Sequence, residues 1–519
     1  MTAPEPEPKT TSFHRRYLDM VEEIESEYSV ASWKGGDVDV WPLARMELYL
    51  DMHWASTCRN RPTSRAFPFR PLVRLAKPVT NWWNSRRDLA HFLTRPRRAG
   101  AIFLGDGVSL DFVDGQWQDR FCEPLIASYE AQGVTTFLMQ SGNFNRLPWR
   151  RPTYAANLVA AKGLRSLAQR LPLQLPDYEQ VLGILERYDV RSPSLVRPNL
   201  AHLASTVSST ASEFELVFRR VKPSVAFVVT YYAGLGPAFV LACRRQGILS
   251  VDLQHCPQEG AHKAYCWTAV PAQGYTTMPA VFWTWSEREA SDLRTWTSAL
   301  AQPWHRSLYG GHVQVMPFLI DGDPATVAWD RKFADTSNGV RYEREILVAL
   351  QPIAGHRARW EALAQQINSS PDDWRWWLRR HPASGQQQDS EYSSLLSIRR
   401  SNVLIEEASS FPLPALLRNM SVLVSLASGA CAEAAAFGVP ALFLSDEARD
   451  TFSRLIERNV AAVIDVAQLN REIGSRPART CRSAGSPRSG IEGVLRDLGE
   501  LGADYSRLCG IFPDRQLRA

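Results

Sequence analysis

The stretch Leu413–Leu444, LPALLRNMSVLVSLASGACAEAAAFGVPALFL, decides how the chain is read. Ser421-Val-Leu-Val-Ser425 is a short β-branched apolar run, the pattern of a buried parallel strand. Leu426, Ala427, Ser428 and Gly429 form a small-residue turn. Ala430–Phe437 is Ala-rich and helix-forming, and Gly438 stops it. Pro440 follows, then Ala441–Leu444 as the next buried strand. A β–turn–α–β unit of this kind puts Ser425, Ser428 and the free N–H groups of the helix start at a strand's carboxyl end. Open α/β sheets bind ligands there, and helix-start N–H groups favour phosphate.

The same alternation extends outward in both directions. Strands are expected at Ala101–Asp106, Val134–Gln140, Ser224–Tyr232, Leu249–Gln254 and Phe282–Ser286, with helices at Gln116–Gln132 and Gly234–Gln246 between them. A second series has strands at Glu345–Leu350, Trp374–Arg380, Val403–Glu406 and Ala461–Asp465, with a helix at Arg357–Asn368 and a closing helix over 491–509. Strands alternating with helices at this spacing imply parallel, doubly wound sheets. A chain of 519 residues is too long for one core. The expected α/β fold is two Rossmann-like parallel-sheet domains facing across a cleft. The units are a tail at 1–12, a helical lead-in with a basic aromatic segment at 13–98, a first α/β domain at 99–335 and a second at 336–519.

Composition narrows the function classes. An apolar fraction of 45% and a charged fraction of 22% are those of a globular protein. No apolar run approaches the roughly 20 residues that span a bilayer. MTAPEPEPKTTSF lacks the apolar core of a secretory signal. The cysteines are scattered without a C-x-x-C pair, which argues against zinc and fits a reducing cytosol. Residues 59–98 are rich in Arg with interleaved aromatics. Trp82, Trp83, Arg86 and Arg87 suit an anionic membrane surface, whereas no nucleic-acid-binding module accompanies the charge. The expected location is cytoplasmic, peripheral on the inner face of the cell membrane.

Several constellations could carry chemistry. Arg379-Arg380-His381-Pro382 ends a strand, so His381 can donate to a phosphate oxygen and stabilise a departing nucleotide. Gln351 follows the first strand of the same domain. Asp106, Asp111 and Asp114 crowd the turn after the strand at 101–106 and are candidates for deprotonating an acceptor hydroxyl. His255, beside Cys256 and followed by Glu259, ends another strand and is the next candidate base. Trp33 and Trp41 in the lead-in are read as packing. Two D-x-D strings, Asp37-Val-Asp39 and Asp321-Gly-Asp323, follow no nucleotide-binding strand and are read as turns, so no metal is expected.

Ser425, Ser428, Glu433, Gly438 and Pro440 occur in the order found in the nucleotide-binding half of GT-B glycosyltransferases, which the stretch resembles. The His381-Pro382 pair is similar to that of the GT-B sialyl- and Kdo-transferases. The lead-in pattern from Trp33 to Arg45 and the Asp114-Gly-x-Trp117 element resemble bacterial capsule and lipopolysaccharide biosynthesis proteins. The resemblance implies a metal-independent glycosyltransferase without a cofactor. A nucleotide-sugar donor, with the His-Pro pair favouring a CMP-linked acidic sugar, would be held by His381, Pro382, Ser425, Ser428, Gly429, Glu433 and Gln351. The acceptor would be a polysaccharide or lipid-linked glycan bound by the first domain. Such acceptor domains often end a strand in Gln-His-Gly, where this chain has Gln254-His255-Cys256. The alternatives are CDP-polyol phosphotransfer, UDP-sugar 2-epimerisation, and a non-catalytic glycosyltransferase-like scaffold.

Overall fold

The computed structural model describes residues 13–57, 98–113, 115–141, 148–157, 159, 170–258, 262–320, 322–351, 355–381, 390–478 and 491–510. Among the described residues no helix is long and apolar enough to cross a membrane.

Two parallel sheets organise the chain. In spatial order the seven-stranded sheet runs Arg306–Tyr309, Val281–Thr284, Leu249–Leu253, Val225–Val229, Ala101–Gly105, Thr136–Gln140 and Thr153–Ala155. The six-stranded sheet runs Val403–Leu404, Trp374–Arg379, Arg344–Ala349, Val422–Ser425, Ala441–Phe443 and Ala461–Val463. Every pairing in both is parallel. In each sheet the first strand in sequence lies beside the fourth, the point where the winding reverses. Both faces of each sheet are covered. Ile102 and Leu104 belong to one core and Ala101 and Phe103 to another. In the second sheet Leu347 and Ala349 face one core, and Ile346 and Val348 the other. Burial on both faces explains why Ala101–Leu104, Val225–Val229 and Ile346–Ala349 read as unbroken apolar runs. The expected fold of two doubly wound parallel-sheet domains is what the chain adopts.

Three local expectations are corrected. Gln116–Gln132 is not one helix: Gln116–Asp119 pairs antiparallel with Leu110–Val113, and the helix begins at Cys122. The cause is Asp119, whose Oδ1 accepts from the N–H groups of Phe121 and Cys122 and so caps the helix there. The strand expected over Ser224–Tyr232 stops at Val229, because Thr230 turns to a φ of 66°. Arg306–Tyr309 is an additional strand, extending the first sheet beyond Val281–Thr284.

Units cross the expected boundaries. The helix Ile491–Leu508 returns to the first sheet: Val494, Leu495, Leu498 and Tyr505 complete its core, and Ser506 donates to the Gly247 carbonyl. In the other direction, Val315 and Phe318 pack into the second domain's core, and Arg418 pairs with Asp330 at 3.0 Å. The lead-in is no appendage either. Trp33 and Trp41 are fully buried in the first domain's core, as packing residues. Glu25 accepts from Trp41 Nε1 at 2.9 Å and Arg45 Nη1 at 2.7 Å, and its other oxygen accepts from the Thr268 N–H at 2.8 Å. Arg45 also covers the Trp267 ring at 4.1 Å. This buried pair fastens the lead-in helices to the loop after His262.

Removing one partner of a buried, hydrogen-bonded ion pair typically costs about 3–5 kcal/mol, because the other charge is stranded. Glu25→Ala should therefore lower the urea midpoint of the first unfolding transition strongly. Glu23→Ala, which breaks the more exposed pair with Arg187, should cost under about 1 kcal/mol. Equal effects of the two substitutions would contradict the central role of the Glu25–Arg45 pair.

Candidate functional site

The carboxyl ends of the two sheets meet around a cavity of about 220 Å³. The first domain contributes Ser109, Arg120, His255 and Trp285; the second contributes Arg379, Arg380, His381, Ser428, Gly429 and Glu433. His255, His381, Ser428, Gly429 and Glu433 were expected at a site from sequence, and one cleft holds all five.

The floor on the second domain is the Ser425–Gly429 turn. Ser425 is fully buried and accepts from the Ser428 N–H at 3.2 Å, so it braces the turn from behind and does not line the cavity. Ser428 Oγ in turn accepts from the Ala430 N–H at 3.3 Å. Gln351 clamps the same turn, accepting from the Ala427 N–H at 2.8 Å and donating to its carbonyl at 3.0 Å. Gln351 and Ser425 thus shape the backbone, while Ser428 and Gly429 present it.

The wall beside this floor is cationic. Arg379 is 8% exposed and donates to the Ala408 and Phe411 carbonyls. It has no carboxylate partner among the described residues. Burial, with Arg120 adding to it, pushes its pKa down against the opposing charges of Asp111 and Glu433. His381 lies next to it, and burial together with Arg120 and Arg379 lowers its pKa, so its imidazole is neutral at pH 7. Arg120 pairs with Asp111 at 3.2 Å, leaving its Nε buried without a hydrogen bond. Neither Arg120 nor Arg379 was assigned a role from sequence. Arg379 stood in a recognisable Arg-Arg-His run, whereas Arg120 had no local signal.

The opposite wall carries His255. Its Nε2 lies 3.1 Å from Tyr232 Oη and 3.3 Å from Thr230 Oγ1. Burial lowers its pKa, outweighing the charge of Asp106 and the Leu253 carbonyl, which favour the cation. The neutral ring can accept a proton. Thr230 reaches it only because the chain turns left-handed there, and Gly236 makes that turn possible. A Cβ on Gly236 would stand 2.4 Å from the Thr230 carbonyl oxygen. Cys256, at the expected Gly, has its Sγ 3.8 Å from His255 Nε2 and 3.7 Å from His262 Nε2. Burial pushes its thiol up to about 12, so it stays protonated.

The acidic candidates are placed differently. Asp106 caps its own turn, accepting from the Val108 and Ser109 N–H groups and the Ser109 hydroxyl. Asp111 is buried between Arg120 and Gln314. Asp114, Glu259 and Pro382 lie outside the described residues, as do Trp82, Trp83, Arg86 and Arg87 of the expected membrane segment. Asp37 lies in a turn, as expected, and binds Arg245; Asp39 is instead a buried strand residue, paired across from Lys34, and takes the Thr276 N–H and the Lys34 ammonium. Among the described residues no three His, Cys, Asp or Glu side chains are arranged to hold a metal ion.

Comparison with known proteins adds little to this geometry. No protein-family model matches the chain, and no curated protein matches it. Among solved structures it is similar to the MnaA–UDP complex of S. aureus, at 12% identity over 80% of this chain and 98% of that one, with a TM-score of 0.45. The UDP-GlcNAc 2-epimerase of Methanocaldococcus jannaschii matches at 12% identity over 77% and 99%, with a TM-score of 0.44. The glycosyltransferase SnogD of Streptomyces nogalater matches at 14% identity over 80% and 100%, with a TM-score of 0.38. Likenesses this distant carry no argument about activity.

Gly236→Ala tests the left-handed turn that sets His255's neighbours. The methyl cannot be placed without moving the Thr230 backbone, so the thermal midpoint should fall clearly. Gly183→Ala, where a Cβ meets nothing within 4 Å in a helix, should hold or raise it. A parent-like midpoint for Gly236→Ala would show that the turn yields easily.

Proposed function

We propose that the protein is a glycosyltransferase that binds a nucleotide-activated sugar in the cleft, phosphate against the second domain. The observation that carries this is Arg379: a buried guanidinium with no carboxylate partner among the described residues, beside neutral His381 and the Ser428–Gly429 backbone. Keeping a lone cation out of water costs several kcal/mol, and a bound phosphate offsets that cost. Glu433 stands where a donor hydroxyl would reach it.

In the proposed reaction neutral His255 takes the proton from an acceptor hydroxyl. The acceptor oxygen forms its bond to the anomeric carbon as the bond from that carbon to the donor phosphate oxygen breaks. The electron pair leaves with the nucleotide, and Arg379 and the His381 N–H stabilise the charge developing on it. Asp106 supports His255 through space, since its charge favours the imidazolium that forms. Asp111 is committed to Arg120 and serves as a positioning residue. A capsule or lipopolysaccharide product and attachment to the inner membrane face belong to the same proposal and rest on the sequence resemblances and the basic segment alone.

The test is turnover of CMP-, UDP- and GDP-sugars with mass detection of released nucleotide, transferred sugar and epimerised donor. Transfer or donor hydrolysis is expected, with His255→Asn slower by about 10²–10⁴-fold at unchanged donor affinity. Because His255's pKa is depressed, the base form persists on acidification. The acid limb of kcat/KM should therefore lie below the ordinary imidazole value of about 6.5. Release of an epimerised donor as the product would replace transfer by epimerisation. Full activity of His255→Asn would move the base elsewhere.

A further inference from the structure

Beside the cleft lies a larger cavity of about 600 Å³, also walled by both domains. Pro257 and Trp285 border both spaces. Between them His312 faces Glu433, with Nε2 3.4 Å from Oε1. His312 lines the larger space and Glu433 the smaller.

The chemistry of this cavity differs from that of the cleft. One wall is the far side of the Ala430–Ala436 helix, where Ala432, Ala435 and Ala436 leave room, and the indole of Trp285 and the ring of Tyr309 stand on the first domain's side. The Trp285 indole is fixed, its Nε1 donating to the Gln254 carbonyl at 2.9 Å. Arg288 and Arg458 border the same space, both exposed and without an ion-pair partner among the described residues. Arg454, by contrast, is held by Asp292. Glu289, the one acid among the described lining residues, is spent on Gln254 and Ser286.

His312 is the second, independent sign of a ligand. It is 7% exposed, and neither ring nitrogen makes a hydrogen bond. Stacking on Trp285, at 4.0 Å between centroids, holds the ring in place. A buried polar group left unsatisfied costs about 1–3 kcal/mol. A rigidly held imidazole whose Nε2 meets only Glu433 at 3.4 Å, and whose Nδ1 has no hydrogen-bond partner among the described residues, calls for a polar atom from outside.

We infer that this cavity binds an anionic saccharide: a pyranose with its C–H faces against Trp285, Tyr309 and the alanines, a hydroxyl at His312, and its carboxylate or phosphate at Arg288 and Arg458. As the acceptor's pocket it rests on the transfer reading above: Pro257 and Trp285 border both spaces, so a saccharide seated here would extend a second hydroxyl past them to His255 in the cleft. As a binding site it stands without that reading. The anionic group distinguishes this pocket from one for a neutral sugar, because nothing else in the lining would require two uncommitted arginines.

The test is saturation-transfer NMR on the full chain with glucuronic acid, glucose 6-phosphate and glucose, alongside calorimetric titration of CMP and UDP. Glucuronic acid or glucose 6-phosphate should bind at least tenfold more tightly than glucose, and which of the two binds identifies the anionic group. The double variant Arg288→Glu/Arg458→Glu should abolish that preference and leave nucleotide binding unchanged. Ala435→Leu, which fills space in the cavity, should weaken all saccharide binding. Equal binding of glucose and the charged sugars, no saccharide binding, or an unchanged preference in the double variant would overturn the inference. Saccharide binding without nucleotide binding would uphold this pocket and refute the donor cleft.

Discussion

The arrangement depends on one constraint: a parallel sheet covered on both faces tolerates polar side chains along its strands only where they are paired inside, as Arg375 is with Glu345, and offers them to a ligand only at its strand ends. Val225–Val229 and Val422–Ser425 are buried along their whole length. The chemistry-bearing residues therefore appear immediately after strands, at Thr230 and Tyr232, His255, His381 and Ser428. In both sheets the winding reverses between the first and fourth strands, so the crossing helices diverge there and leave a crevice. With the two crevices facing each other, residues more than 300 positions apart line one small cavity.

Within that cavity the charges are arranged to be completed by something else. Arg120 is neutralised by Asp111, and Arg380 by Glu406. Arg379 is balanced by neither, and the backbone carbonyls it meets offset only part of the cost of its burial. The same burial that makes this cation expensive holds His381 and His255 neutral at pH 7. The two histidines can then act in opposite senses, one as donor of an N–H and the other as acceptor of a proton. Their roles follow from their walls: His381 stands among arginines, His255 among hydroxyls and within reach of Asp106.

Much of this was legible in the sequence. The strands announced themselves because burial on both faces keeps most of their residues apolar, and the turn at Ser425–Gly429 was visible as small residues between two such runs. What escaped had no local signature. Gln116–Asp119 reads as the first turn of a helix, and becomes a strand because Phe112 and Trp117 pair across a hairpin. The amphipathic helix at 491–508 shows that it buries one face, but not which sheet it covers. Arg120 reaches the cleft, and His312 the neighbouring cavity, through tertiary packing alone. By sequence Ser425 and Gln351 stand as ligand contacts; in the structure they hold the turn. Residue type at a strand end signals chemistry without separating the group that touches a ligand from the one that positions it.

The central claim is that the cleft holds a nucleotide phosphate against Arg379, a buried arginine with no carboxylate partner among the described residues. Calorimetric titration of CMP, CDP, UDP and GDP into the parent protein and into Arg379→Met tests it most directly. The account predicts that at least one nucleotide binds the parent and that Arg379→Met weakens it by tenfold or more, with a parent-like thermal midpoint showing that the fold is kept. Binding of equal strength to a folded Arg379→Met protein, or no binding of any of the four to the parent, would contradict it.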